Sequence, residues 1–201
     1  NTGQVCCASK RFLVHRSRVE EFTKKAIEKI SRINRADPST DEAEMGCLIS
    51  EAAAIKVEQQ VNLTVEQGGK ILLGGKRNGA FYDPTVIGDV PKTADVAKDM
   101  EIFGPVVPVI AFDTEEEAIE IANASKFGLC GCVFSENMKT AARVANALEC
   151  GGAVINGASF FRSFEMPFGG YKHSGIGTEG VLSTFNEMTH TKSIVLKNIL
   201  S

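Results

Sequence analysis

Short unbroken apolar runs alternate along this chain with stretches in which apolar residues return at helical spacing. The first pattern predicts strands and the second amphipathic helices, and their alternation predicts an α/β domain on a parallel sheet. Arg11 to His15 reads as a strand. Ser17, with Glu20 following, predicts a capping box that opens a helix burying Val19, Phe22, Ala26, Ile27 and Ile30. Asp37 to Asp41 reads as a loop, and a second helix is predicted from about Glu51 to Gln67, stopped by Gly68 and Gly69. Lys70 to Leu73 is the next strand. Residues 74–105 predict little regular structure beyond a short strand near Thr85 to Ile87, before the apolar run Val106 to Phe112, a buried strand. Thr114 with Glu117 repeats the capping box ahead of a helix ending near Ser125. A strand (Leu129 to Phe134), a helix (Met138 to Leu148) and a strand (Gly152 to Ile155) follow. Residues 156–180 are glycine-rich and aperiodic, the mark of a long functional loop. Thr191 to Lys197 reads as a strand without a partner near it in sequence.

Composition narrows the function classes. At 201 residues the chain supports one well-buried domain. It is 43% hydrophobic and 23% charged, with a net charge of −3 and its Lys and Arg scattered. That balance carries no footprint for nucleic acid. No apolar run approaches the roughly 20 residues of a membrane-spanning helix, so neither nucleic acid nor membrane is expected as a partner. The opening Asn1-Thr2-Gly3-Gln4 reads like the interior of a longer protein. The six cysteines form no Cys-x-x-Cys pair, and the three histidines are not spaced to complete a zinc site. A reducing cytoplasm is expected, with Cys47, Cys130, Cys132 and Cys150 as buried, inert thiols and no metal.

The chemistry concentrates around Cys6. A cysteine becomes a useful nucleophile when a helix N-terminus or a nearby cation lowers its pKa, and a helix start is expected just behind Cys6. A lone cysteine is more often a small buried hydrophobe; the segments around it change that balance. Asn1-Thr2-Gly3-Gln4-Val5-Cys6 resembles the catalytic-cysteine segment of aldehyde dehydrogenases. Glu101-Ile102-Phe103-Gly104-Pro105 resembles that family's second signature, and Asn156 with Pro167-Phe168-Gly169-Gly170-Tyr171-Lys172-His173-Ser174-Gly175 a third. The three stand in the family's order over nearly the whole chain.

The resemblance implies the α/β catalytic domain of that superfamily over residues 1–188, with 189–201 as a C-terminal strand that pairs with a neighbouring subunit in a dimer or tetramer. It implies NAD or NADP as cofactor and oxidation of an aldehyde to a carboxylic acid, with Cys6 attacking the carbonyl and its backbone N–H helping to hold the oxyanion. Glu101 would bind the nicotinamide ribose hydroxyls, a diol suiting a carboxylate, and Phe103 would pack near the nicotinamide. Asn156 is either an active-site neighbour or a turn-former before Gly157. Phe160, Phe161, Phe164 and Phe168 would wall the substrate tunnel, and Arg162 would either pair with an anionic substrate such as succinic semialdehyde or stand as an exposed loop cation. Cys7, one place past the motif position, is the weaker nucleophile. The family's general-base Glu, phosphate-binding glycine motif and oxyanion Asn lie upstream of its cysteine. The chain is therefore expected to be the catalytic part of a longer protein, folding without turning over at the parent's rate. Two rivals stay open: a CoA-acylating or acyl-phosphate-handling relative, and a folding and assembly module without activity of its own.

Overall fold

The computed structural model describes residues 1–40 and 42–198. Its main sheet has four strands: β1 (Phe12–His15), β2 (Lys70–Leu73), β5 (Thr85–Gly88) and β6 (Val106–Phe112), in the order β1-β6-β5-β2. β6 runs parallel to β1, with Phe12 opposite Val109, and parallel to β5, with Thr85 opposite Val106. β2 joins antiparallel at the edge, so the sheet is mixed rather than wholly parallel. The physical reason is the short return through β3 (Arg77–Asn78) and β4 (Phe81–Tyr82), a small hairpin in place of a crossover helix. A separate parallel pair, β8 (Cys130–Val133) and β9 (Gly152–Ile155), is joined by α4 (Met138–Ala147).

Proline inside a central strand would normally cost a ladder bond. The Thr85 amide donates to the Pro105 carbonyl, so alternate residues from Pro105 face β5 and Pro108 faces β1. Pairing with β1 starts only at Val109, and the missing N–H falls just before it.

Two helices flank the main sheet, α1 (Val19–Ile30) and α2 (Glu51–Glu66). α2 is capped by Ser50, whose hydroxyl accepts from the Ala53 amide. Its Ala54, Val57 and Val61 join Leu48, Tyr82, Ile87, Val96, Ile102 and Ile110 in the core. α1 buries the expected face only partly, and its start differs from the sequence pattern. Ser17 lies in a 3₁₀ turn, Arg16–Arg18, where its hydroxyl and amide both approach His15 Nδ1, at 2.8 and 3.3 Å. The imidazole takes the hydroxyl that would have capped the helix, and Arg18 stands at the N-cap without a side-chain bond. At α3 (Glu115–Asn123) the cap forms as expected, with Thr114 accepting from the Glu117 amide at 3.2 Å.

Arg11 rivets this framework. Its guanidinium donates to the carbonyls of Ala97, Ile121 and Ala122, joining the start of β1 to the end of α3. Burial pushes its pKa down, and Asp99 opposes that.

The loop after β9 is less bare than its composition suggests. β10 (Tyr171–Lys172) pairs antiparallel with β7 (Phe127–Gly128), and an unforeseen helix α5 (Val181–Glu187) follows. Thr191 to Lys197 forms no strand within this chain, and Ile194, Val195 and Leu196 stand 74%, 86% and 72% exposed. No helix among the described residues is long and apolar enough to cross a membrane.

Ile110 is fully buried in the central strand. Ile110→Ala is expected to destabilise the fold by about 2–5 kcal/mol, lost transfer energy plus cavity. Urea unfolding checks this: the midpoint falls while the slope holds.

Candidate active site

The Cys6 segment is a turn, not a helix start. The Ala8 amide donates to the Val5 carbonyl at 3.1 Å, which puts Cys6 and Cys7 at the two central positions. Cys6 is exposed at the tip and Cys7 is half-buried. The expected helix N-terminus behind Cys6 is therefore absent, because the chain passes within a few residues into the extended β1. Of the two ordinary ways to favour a thiolate, only a nearby cation remains.

Gly3 explains how this turn meets the second motif. It has φ +74, and a Cβ there would lie 2.1 Å from the Gly104 carbonyl oxygen. Gly104 in turn backs onto α2, where a Cβ would fall 2.8 Å from Val57 Cγ2. Two glycines thus let the cysteine segment pack main chain to main chain on the Glu101–Pro105 loop, and let that loop close onto the Val57 side chain of α2. Side chains complete the stitching: the Thr2 hydroxyl donates to the Gly46 carbonyl, Gln4 Oε1 accepts from the Ile49 amide, and Gln60 Nε2 donates to the Glu101 carbonyl. Buried Ile102 anchors the loop, leaving Glu101 and Phe103 to face outward, 49% and 41% exposed.

Lys10 joins these pieces, although it belongs to no motif of the sequence. Its Nζ donates to the Gly3 carbonyl at 2.8 Å, stands 3.9 Å from Glu101 Oε1 and lies 4.3 Å from the centroid of the Phe103 ring. Burial pushes the ammonium below its ordinary value, while Glu101, Cys6 and Cys7 push it back up. Glu101, Phe103 and the Cys6 turn are thereby gathered on one side of the domain. A cleft of about 530 Å³ opens beside them, lined by Asn1, Thr2, Gln4, Cys47, Ile49 and Phe103 among others. A second groove, of about 430 Å³ between α1 and the β2–β5 edge, is mainly apolar and lies away from these groups.

The third motif reaches the site through a residue that sequence reasoning also missed. Buried Ser159 donates its hydroxyl to the Cys7 carbonyl at 2.7 Å and lies 3.1 Å from the Ser9 hydroxyl. That bond ties the loop after β9 to the Cys6–Cys7 turn across 152 positions of sequence, a separation at which no local pattern exists. Beyond it Phe160, Phe161 and Phe164 are exposed, and the Arg162 guanidinium lies 4.2 Å from the centroid of the half-buried Phe168 ring. Asn156, at φ 54, spends its amide elsewhere. Its Oδ1 accepts from the Ser135 amide and its Nδ2 donates to the Ser135 carbonyl, closing the end of the β8–β9 pair.

Cys47, Cys130, Cys132 and Cys150 are half-buried rather than buried: Cys47 lines the cleft, and the other three lie on or beside the two-stranded β8–β9 pair. Burial nonetheless pushes the Cys130 thiol up to about 11, with Cys7, Cys150 and Cys6 adding to the rise and Arg162 opposing it, and burial raises Cys150 as well.

The model of the aldehyde dehydrogenase family matches residues 1–194. The chain belongs to this family. A lactaldehyde dehydrogenase from Methanococcus maripaludis is 39% identical over 99% of this chain and 42% of its own length. A crystal structure of betaine aldehyde dehydrogenase from Staphylococcus aureus in complex with NAD+ has a TM-score of 0.89 and 36% identity, covering 100% of this chain and 42% of that one. Aldehyde dehydrogenase 21 from Physcomitrella patens, in complex with the reaction product succinate, gives 0.91 and 35%, over 98% and 41%. The chain thus spans about two fifths of the length of the relatives it matches, within an aldehyde dehydrogenase catalytic α/β fold.

Thiols react as thiolates, so a raised pKa withholds a cysteine from alkylation at neutral pH. Iodoacetamide at pH 7 is expected to label Cys6 first, with Cys130 joining only toward strongly alkaline pH. Peptide mapping of the first alkylated site reads this, and initial labelling at Cys130 or Cys150 would sink the assignment.

Proposed function

We propose that Cys6 is the covalent nucleophile of an NAD(P)+-dependent oxidoreductase that converts an aldehyde to a carboxylic acid. The observation that carries this reading is the exposed Cys6 turn clipped by Lys10 to an outward carboxylate and an outward aromatic ring beside an open cleft. The Cys6 thiolate adds to the aldehyde carbonyl and forms a thiohemiacetal; its backbone N–H faces the charge that develops on oxygen. Loss of hydride from that carbon leaves a thioester on Cys6, which water opens to the carboxylate and free thiol.

The residues present fit one end of a dinucleotide. Glu101 offers two acceptor oxygens to a ribose diol, and the exposed face of Phe103 offers apolar contact to a flat ring. When bound, NAD(P)+ supplies the hydride acceptor. Holding reactants together in this way contributes about 7–11 kcal/mol, so this chain by itself is expected to be acylated without sustaining oxidation at its parent's rate.

Arg162 on the phenylalanine-rich loop favours an aldehyde that carries an anionic group, of which succinic semialdehyde is an example. The exposed apolar side chains of α5 and of residues 194–196 support residues 189–201 as an arm that pairs with a second subunit, in a dimer or tetramer of domains 1–188. Free cysteines suit a reducing cytoplasm.

An activated ester tests the nucleophile without any cofactor. p-Nitrophenyl acetate should acylate Cys6 and release nitrophenolate in a stoichiometric burst. Cys6→Ala is expected to abolish the burst, while Cys7→Ala keeps most of it. A burst that survives Cys6→Ala refutes the proposal.

A further inference from the structure

The turn from Val5 to Ala8 holds two peptide planes in series. A trans peptide is rigid, with its carbonyl and its N–H pointing opposite ways, so hydrogen bonds at both ends of one plane fix its rotation. The Cys7–Ala8 plane is held at both ends: its amide donates to the Val5 carbonyl at 3.1 Å, and its carbonyl accepts the Ser159 hydroxyl at 2.7 Å. The Val5–Cys6 plane is held at its carbonyl by that same Ala8 amide, and its other end is the Cys6 N–H. Among the described residues, that N–H donates to no backbone carbonyl. Behind buried Ser159 stands the Ser9 hydroxyl, 3.1 Å away. The one Ser159 proton is committed to Cys7, so Ser9 donates to Ser159 Oγ.

We propose that Ser159 is a positioning residue for the oxyanion donor of Cys6. It sits in a chain of hydrogen bonds that runs from the Ser9 hydroxyl through Ser159 to the Cys7 carbonyl, then from the Ala8 amide to the Val5 carbonyl, and ends at the Cys6 N–H. The assignment rests on Cys6 being the nucleophile. Every link is a contact within the chain except the last, which the oxygen of the reacting carbonyl completes. The first effect is orientation. With both planes held, the Cys6 N–H keeps one direction, and a donor already in place needs no reorganisation as charge develops. The second effect is polarisation. A peptide whose carbonyl accepts a hydrogen bond donates more strongly from its N–H, and bonds in series reinforce one another. Ser159 belongs to the loop after β9, so that loop acts on the oxyanion site through the main chain of the turn.

Two reactions of Cys6 on the 201-residue chain separate this role from a general loosening of the turn. With p-nitrophenyl acetate, Sγ adds to the ester carbonyl, charge collects on its oxygen, and nitrophenolate then leaves. With iodoacetamide, Sγ displaces iodide from a saturated carbon and no oxyanion forms. Ser159→Ala is expected to slow the nitrophenolate burst about 3–10-fold, the contribution of one hydrogen bond to such a chain. Alkylation of Cys6, mapped by mass spectrometry, should change little. Ser159→Thr keeps the hydroxyl and should restore most of the burst rate, and Ser9→Ala should slow the burst by a smaller factor than Ser159→Ala. A burst unchanged by Ser159→Ala, or a burst and an alkylation slowed by the same factor, overturns the proposal. Should Ser159→Ala fail to fold, Ser9→Ala decides on the same two reactions: slowing confined to the burst supports the chain, and equal or absent slowing overturns it. Failure of the nucleophile assignment looks different, because the burst then survives Cys6→Ala whatever residue occupies position 159.

Discussion

Everything at this site depends on how closely two loops can lie against each other and against α2. A Cβ at Gly3 would fall on the carbonyl of Gly104, and one at Gly104 on the Val57 side chain of α2, so the Cys6 turn rests on the core through two glycines and one valine. A methyl group at Gly3 would occupy the Gly104 oxygen, and φ +74 would strain it besides. The spacing of the two loops is thereby set by hard contact between main chains, and their seat on the core by a buried valine. Lys10, Gln4 and Gln60 then fix orientation within a spacing the glycines have already determined.

The sheet delivers these segments to the same place by topology. Cys6 precedes β1 and Glu101 precedes β6, and β1 and β6 are adjacent and parallel. Two sequence-distant loops that lead into neighbouring parallel strands must emerge at one edge. This is the amino end of the strands, whereas ligand sites in open α/β sheets ordinarily sit at the carboxyl end. The rivet formed by Arg11 with Ala97, Ile121 and Ala122 holds β1 in step with the segment that leads to Glu101.

Much of this was legible in the residues. The helices and strands with strong periodicity, from α2 through β9, lie within a residue or two of where their patterns place them, because each pattern reflects one buried face. Glu101 and Phe103 are linked through Lys10 to the segment that carries the Cys6 turn. What escaped the sequence were effects between distant segments or between close competitors. Ser17 lost its capping role to His15, an exchange that no spacing rule contains. β2 turned antiparallel because a short hairpin returned the chain too soon for a crossover. Lys10 and Ser159 are ordinary residues in a strand lead-in and a phenylalanine-rich loop, and their importance exists only after folding brings Gly3 and Cys7 to them. Asn156, with two readings open, has its amide engaged by Ser135.

Ser159 also divides the loop that carries it. Its hydroxyl is fastened to the Cys7 carbonyl, while the side chains of Phe160, Phe161 and Phe164 just beyond it are exposed and Arg162 lies over the Phe168 ring. One end of the loop is therefore tied to the Cys6–Cys7 turn while the part beyond is open to solvent, so the outward side chains past Ser159 can change in size, shape and charge without breaking that tie.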